Sequence, residues 1–98
     1  MTQAPAQLFG LRERGELREG FHADIAIFDP ETVATGDVRL LDDLPGGSAR
    51  LYADAIGMQR VLVNGTTIVV DGEATGALPG TVLRSGRDTQ TVPIPADL

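Results

Sequence analysis

The stretch Val61–Gly72, V-L-V-N-G-T-T-I-V-V-D-G, constrains the fold of this chain more than any other. Two runs of mainly β-branched residues flank Asn64-Gly65, the dipeptide best suited to a two-residue type I′ turn. Such a turn needs positive φ at both central positions, which Asn tolerates and Gly adopts freely. A register follows: Val63 faces Thr66, Leu62 faces Thr67, Val61 faces Ile68 and Arg60 faces Val69. Alternation then places Val61, Val63, Ile68 and Val70 on a core face with Thr66. Arg60, Leu62, Thr67 and Val69 share a mixed face. A hairpin of this kind is a sheet component and carries no chemistry of its own.

Composition narrows the chemistry further. The chain has 98 residues, enough for one small domain with a modest core. Aromatics make up only 4%, so Val, Ile, Leu and Ala must supply that core, while twelve glycines and six prolines favour short strands and many turns. A net charge of −6 argues against a nucleic-acid partner, since phosphate binding needs an excess of cations. No apolar run is long enough to span a membrane and no signal-peptide pattern opens the chain, so a cytoplasmic location is expected. There is no Cys and no Lys, and His22 is the single histidine. Thiol nucleophiles, Cys metal sites, Schiff bases and P-loops are thereby excluded, and one His is a poor kit for catalytic zinc.

Along the chain, Thr2 reads as the N-cap of a short helix over residues 2–10, with Pro5 in its first turn and Leu8, Phe9 and Leu11 forming an apolar side. Gly10 or Gly15 ends it. Arg12–Glu19 alternates charge sign and reads as a solvated loop. Ala23–Asp29 is a second strand, apolar on both faces as in the interior of a packed sheet, and stopped by Asp29-Pro30. A short strand is expected around Val38–Leu40, then a loop over Asp42–Ser48. Arg50–Gly57 is compatible with a helical turn or an irregular strand. Asp71-Gly72 and Pro79-Gly80 make further turns, and Thr81–Arg84 reads as an edge strand. Residues 85–98 read as a loosely attached or disordered tail.

Several residues invite a functional reading and have a plainer one. His22 and Asp24 stand two apart at a strand start, but two ligands are too few for catalytic zinc. Asp24 is expected instead to accept bonds from backbone N–H groups of the turn before it. Ser48, Ser85 and His22 form a triad only on paper, because triads are defined by geometry. Asp42-Asp43 falls short of the six or more oxygens calcium requires. Asn64-Gly65-Thr66 fits a glycosylation acceptor, yet the turn accounts for Asn-Gly without it.

Four motifs follow one another: G-x-L-x-x-G-x-x-A-D-I at Gly15–Ile25, F-D-P at Phe28–Pro30, V-N-G at Val63–Gly65 and D-G-E-x-T-G-x-x-P-G at Asp71–Gly80. Their order, over residues 4–84, resembles the C-terminal end of amidohydrolase-superfamily enzymes, in particular the N-acyl-D-amino-acid deacylase (D-aminoacylase) branch. It implies a mainly β fold for residues 1–84: a small composite β-sandwich of short antiparallel strands, from residue 23 on, with one N-terminal helix. It implies a parent enzyme in which a metal-dependent (β/α)₈ barrel, carrying zinc or a similar divalent ion, hydrolyses amide or related non-peptide C–N bonds. The family's metal ligands and catalytic aspartate lie upstream of the matching region, so no catalytic, cofactor-binding or metal-binding residue is assigned here. Asp24, Asn64, Gly65, Gly72, Pro79 and Gly80 are assigned structural roles. The expected partners are the barrel and the N-terminal sandwich strands, with a homodimer through exposed strand edges in their absence. The alternative expectation is a free-standing β interaction module.

Overall fold

Two consecutive two-residue turns organise the main sheet. Asn64 and Gly65 take φ of 49° and 78°, and Asp71 and Gly72 repeat this at 49° and 82°. Positive φ at both central residues is the signature of a type I′ turn, whose twist matches that of the strands it joins. The computed structural model describes residues 1–94. In chain order the elements are helix α1 (Gln3–Leu8), β1 (Ile25–Phe28), β2 (Ala34–Thr35), β3 (Arg39–Leu41), a 3₁₀ turn (Pro45–Gly47), β4 (Arg50–Tyr52), β5 (Ala55–Ile56), β6 (Met58–Val63), β7 (Thr66–Val70) and β8 (Glu73–Ala74). The result is a small, mainly antiparallel β domain with one short helix.

The main sheet runs in the order β1-β6-β7-β8, with separate ribbons β2-β5 and β3-β4. At the β6–β7 turn the pairing is as the turn chemistry requires, Val63 with Thr66 and Leu62 with Thr67. One step further out it slips: Val61 pairs with Val69 and Arg60 with Val70, leaving Ile68 as the extra residue of a bulge. The cause is the third strand. The Asp71-Gly72 turn sets Val70 opposite Glu73, and the Asp71 N–H donates to Gln59 O at 2.7 Å. Thr75 N–H donates to the Ile68 carbonyl at 2.9 Å. These bonds demand one more residue of β7 than simple pairing allows, and Val70 moves to the face of Arg60 and Leu62.

β1 does not lie inside the sheet as its apolar faces suggested; it is an edge strand. Among the described residues it pairs with β6 alone, and Ile27 and Phe28 remain 42% and 45% exposed. Residues 50–56 resolve as strands, not a helical turn: β4 pairs with β3 and β5 with β2. Arg50 and Arg39 stack on the Tyr52 ring at 5.2 and 5.3 Å and stiffen the β3–β4 ribbon. Thr81–Arg84 forms no strand. No helix among the described residues is long and apolar enough to cross a membrane.

At the N-terminal end, α1 is closed by a Schellman motif: Gly10 N–H bonds Gln7 O at 3.2 Å and Leu11 N–H bonds Ala6 O at 2.9 Å. Thr2 occupies the N-cap without making a side-chain cap bond. The expected apolar side of the helix is not buried. Leu8 and Phe9 are 69% and 70% exposed, and the helix instead presents Ala6 inward. The reason is steric: Ala6 sits where a Cβ on Gly15 would lie only 2.7 Å away, so the contact admits small side chains only. Leu11 bridges Thr89, Gln90 N–H donates to Gly10 O at 2.8 Å, and Arg12 N–H donates to Asp88 O at 3.1 Å. Of the tail read from residue 85, these bonds involve residues 88–90, and residues 95–98 lie outside the described residues.

The architecture is open. Among the described residues only Ala6 and Gly10 are buried. The radius of gyration is 17.0 Å, against about 13 Å for a compact domain of this length. The accessible surface is 7911 Å², where a compact 10.3 kDa monomer exposes about 5,400 Å². With so little buried, local backbone geometry carries an unusual share of the stability. Nothing lies within 4 Å of a Cβ built on Gly65, so Gly65→Val adds backbone strain alone and costs about 1–3 kcal/mol. Gly10→Val costs more, because its Cβ would also meet the Gln90 carbonyl at 2.1 Å. Urea unfolding of the two variants followed by circular dichroism checks this order.

Candidate functional site

Residues from distant parts of the sequence meet at the β6–β7 turn. Asp24, just before β1, accepts the Asn64 N–H on Oδ1 at 2.9 Å. Its Oδ2 takes the Arg14 guanidinium in an ion pair. Gly65 N–H donates to the neighbouring Ala23 carbonyl at 3.0 Å. The Asn64 side-chain amide donates to Pro79 O at 3.0 Å, and Arg14 Nη2 lies 3.4 Å from Asn64 Oδ1. Four segments, around residues 14, 24, 64 and 79, are thus joined through one turn.

The electrostatics follow from these bonds. The Arg14 side chain is 14% exposed and that of Asp24 33%. Partial burial pushes the Asp24 carboxyl up, but the Asn64 N–H bond and the Arg14 guanidinium outweigh it and hold it below its ordinary value. A carboxylate whose proton affinity is lowered, with both oxygens engaged, is a poor general base. Asp88, near the same arginine, is also lowered, chiefly by the Arg87 side chain and the Arg84 N–H. The arrangement fastens segments to one another.

The sequence assigned structural roles to six residues, and the structure brings four of them close. Asp24, Asn64 and Gly65 share the turn, and Pro79 receives the Asn64 amide. Gly80 lies beside Pro79 on an open apolar hollow with Val63, Ile68 and Leu78. Gly72 is apart, in the second turn. Asp24 bonds a backbone N–H forty residues away, not the turn before it. Arg14 was hidden in a run of alternating charge, and no local signal separates it from Arg12 or Arg18.

The other tempting residues stay dispersed. His22 Nε2 stands 4.0 Å from Glu13 Oε2, and Asp24 turns to Arg14 instead. Asp43 is consumed by Arg50, which reaches its two oxygens from Nε at 2.8 Å and Nη2 at 2.6 Å. That side-chain bond lowers the Asp43 carboxyl and raises Arg50. Ser48 lies in the loop before β4 and Ser85 in a turn near the C-terminal end, and no hydrogen bond joins either to His22 among the described residues. No group of three or more His, Cys, Asp or Glu could hold a metal ion among those residues. The donor set does not fit a catalytic zinc.

Comparison with known proteins gives this scaffold a context. The chain is 44% identical over 87 residues to N-acyl-D-aspartate deacylase of Alcaligenes xylosoxydans xylosoxydans, a match covering 88% of this chain and 16% of that protein. From the same organism, N-acyl-D-glutamate deacylase is 37% identical over 84 residues and D-aminoacylase 36% over 83. Those two matches cover 86% and 85% of this chain and 15% of each relative. The chain is homologous to a C-terminal segment of D-aminoacylase-type deacylases. It spans only about 16% of the length of the curated relatives it matches. No family model matches it, and no solved structure matches it significantly.

The Asp24 junction has a pH signature. Because the folded carboxyl is more acidic than the unfolded one, its contribution is complete above the ordinary Asp value and fades as pH falls through the depressed one. Asp24→Asn keeps an acceptor for the Asn64 N–H but loses the charge. The variant is less stable than the parent at neutral pH, and the gap narrows below roughly pH 4. Melting curves across that range measure it; a gap independent of pH would show that Asp24 is not held ionised by Arg14.

Proposed function

We propose that this chain is the non-catalytic β portion of a metal-dependent amidohydrolase that releases D-amino acids from their N-acyl derivatives, and that it braces the catalytic barrel. The observation that carries the reading is the 44% identity to N-acyl-D-aspartate deacylase over a stretch that makes up most of this chain and a small part of that protein. The open surface supports it. The excess over a compact monomer, about 2,500 Å², is ample for the roughly 800 Å² per partner of a standard interface. Ile27, Phe28, Val38, Leu40, Leu51 and Ile56 are among the large apolar side chains left uncovered on strands or beside them.

In this reading water activation and substrate binding belong to the rest of the enzyme, where a zinc or similar divalent ion is held by residues outside this chain. The unpaired edge of β1 accepts a sandwich strand from elsewhere in the same enzyme. Without that strand it recruits a second copy of the chain. The acidic balance disfavours nucleic acid as a partner, and the enzyme works in the cytoplasm.

The test uses the chain beside a full-length relative. Alone, the chain carries no stoichiometric zinc by elemental analysis, releases no D-aspartate from N-acetyl-D-aspartate, self-associates and binds a dye specific for exposed apolar surface. N-acyl-D-aspartate deacylase lacking its matching segment loses soluble activity, and fusing this chain in its place restores it. Hydrolysis with bound zinc by the chain alone would overturn the proposal. A compact, dye-negative monomer would point instead to a free-standing binding module.

A further inference from the structure

The Asn64-Gly65 turn holds a reactive dipeptide inside the junction just described. In an unrestrained Asn-Gly pair the glycine backbone nitrogen, on losing its proton, attacks the asparagine Cγ. A new N–C bond forms, the Cγ–Nδ2 bond breaks, and ammonia leaves with the proton it takes up. The succinimide ring is then opened by water at either carbonyl, giving aspartate or isoaspartate. No oxidant or further reactant is needed.

Both groups that must act in that step are engaged here. The Gly65 N–H donates to Ala23 O at 3.0 Å, so the nucleophile is held protonated. The leaving amide nitrogen, Nδ2, donates to Pro79 O at 3.0 Å. The Asn64 N–H and the Arg14 guanidinium are fixed on Asp24, which keeps the backbone of the turn from turning toward its own side chain. No Cβ at Gly65 obstructs the attack, and the site around it is open. Asn64 is only half-buried, so its protection comes chiefly from hydrogen bonds.

We infer that Asn64 is a latent covalent modification site, a deamidation switch closed by its own bonds to Asp24, Ala23 and Pro79, whose product releases the Ala77–Gly80 segment from the hairpin. Either product replaces the Nδ2 donor with a carboxylate, and Pro79 O loses its partner. The new charge stands beside the Asp24 carboxylate and competes for Arg14. Isoaspartate also inserts a methylene into the main chain of a turn that tolerates only two residues. The apolar hollow formed by Val63, Ile68, Leu78 and Pro79 then loses one wall.

The test follows conversion of Asn64 by peptide mass spectrometry and isoaspartate by enzymatic methylation, in the full chain at mildly alkaline pH. Deamidation in buffer is slower than in urea by on the order of tenfold or more, since reaction requires local opening of the turn. Asp24→Ala, which removes the anchor of the Asn64 N–H, brings the rate in buffer toward the rate in urea. Asn64→Asp, made directly, raises hydrogen exchange of residues 75–80 while leaving β6 near Arg60 unchanged. Equal rates in buffer and urea would refute the protection. Unchanged exchange of residues 75–80 in Asn64→Asp would refute the release, and it can be read even if Asp24→Ala fails to fold.

Discussion

One carboxylate, Asp24, holds together parts of this chain that no hydrophobic core joins. It couples the loop at Arg14 to the tip of the hairpin at Asn64, and through Asn64 to Pro79. Charged hydrogen bonds of this kind are stronger than neutral ones, and partial burial spares them some of the screening that weakens ion pairs in open solvent. With Ala6 and Gly10 the only buried residues among those described, the sheet has few apolar contacts with which to hold its loops. The loops are tied by polar bonds to backbone groups instead.

Where the sequence could be read correctly, the determinants were local. Asn64-Gly65 specifies its turn because only certain residues reach positive φ, and the two pairs nearest the turn follow from that alone. Beyond them the register depends on a third strand. The bulge at Ile68 arises from bonds made by Asp71 and Thr75, which no inspection of the hairpin by itself contains. β1 illustrates a different limit. Apolar residues on both faces state that the strand is to be covered, and they do not state by what. The strand is uncovered in this chain, where Ile27 and Phe28 remain 42% and 45% exposed.

The candidate site divides in the same way. That Asp24 bonds a backbone N–H was legible because Asp at a strand start favours such bonds. Its actual donor, Asn64, is forty residues distant. Arg14 was invisible among seven other arginines, since its distinction is a contact and not a composition. The absence of Cys and Lys removed whole classes of chemistry at once, because those classes depend on the residue and not on geometry. His22 and Asp24 make no ligand pair, because the two Asp24 oxygens are engaged by Arg14 and the Asn64 N–H.

The bridge between Leu11 and Thr89 brings two distant stretches of the polypeptide side by side, so everything between them forms a closed ring. A ring has no obligatory opening. Joined across that bridge and cut in the Asp42–Ser48 loop, the polypeptide would retain the Arg14–Asp24–Asn64 junction and the whole main sheet.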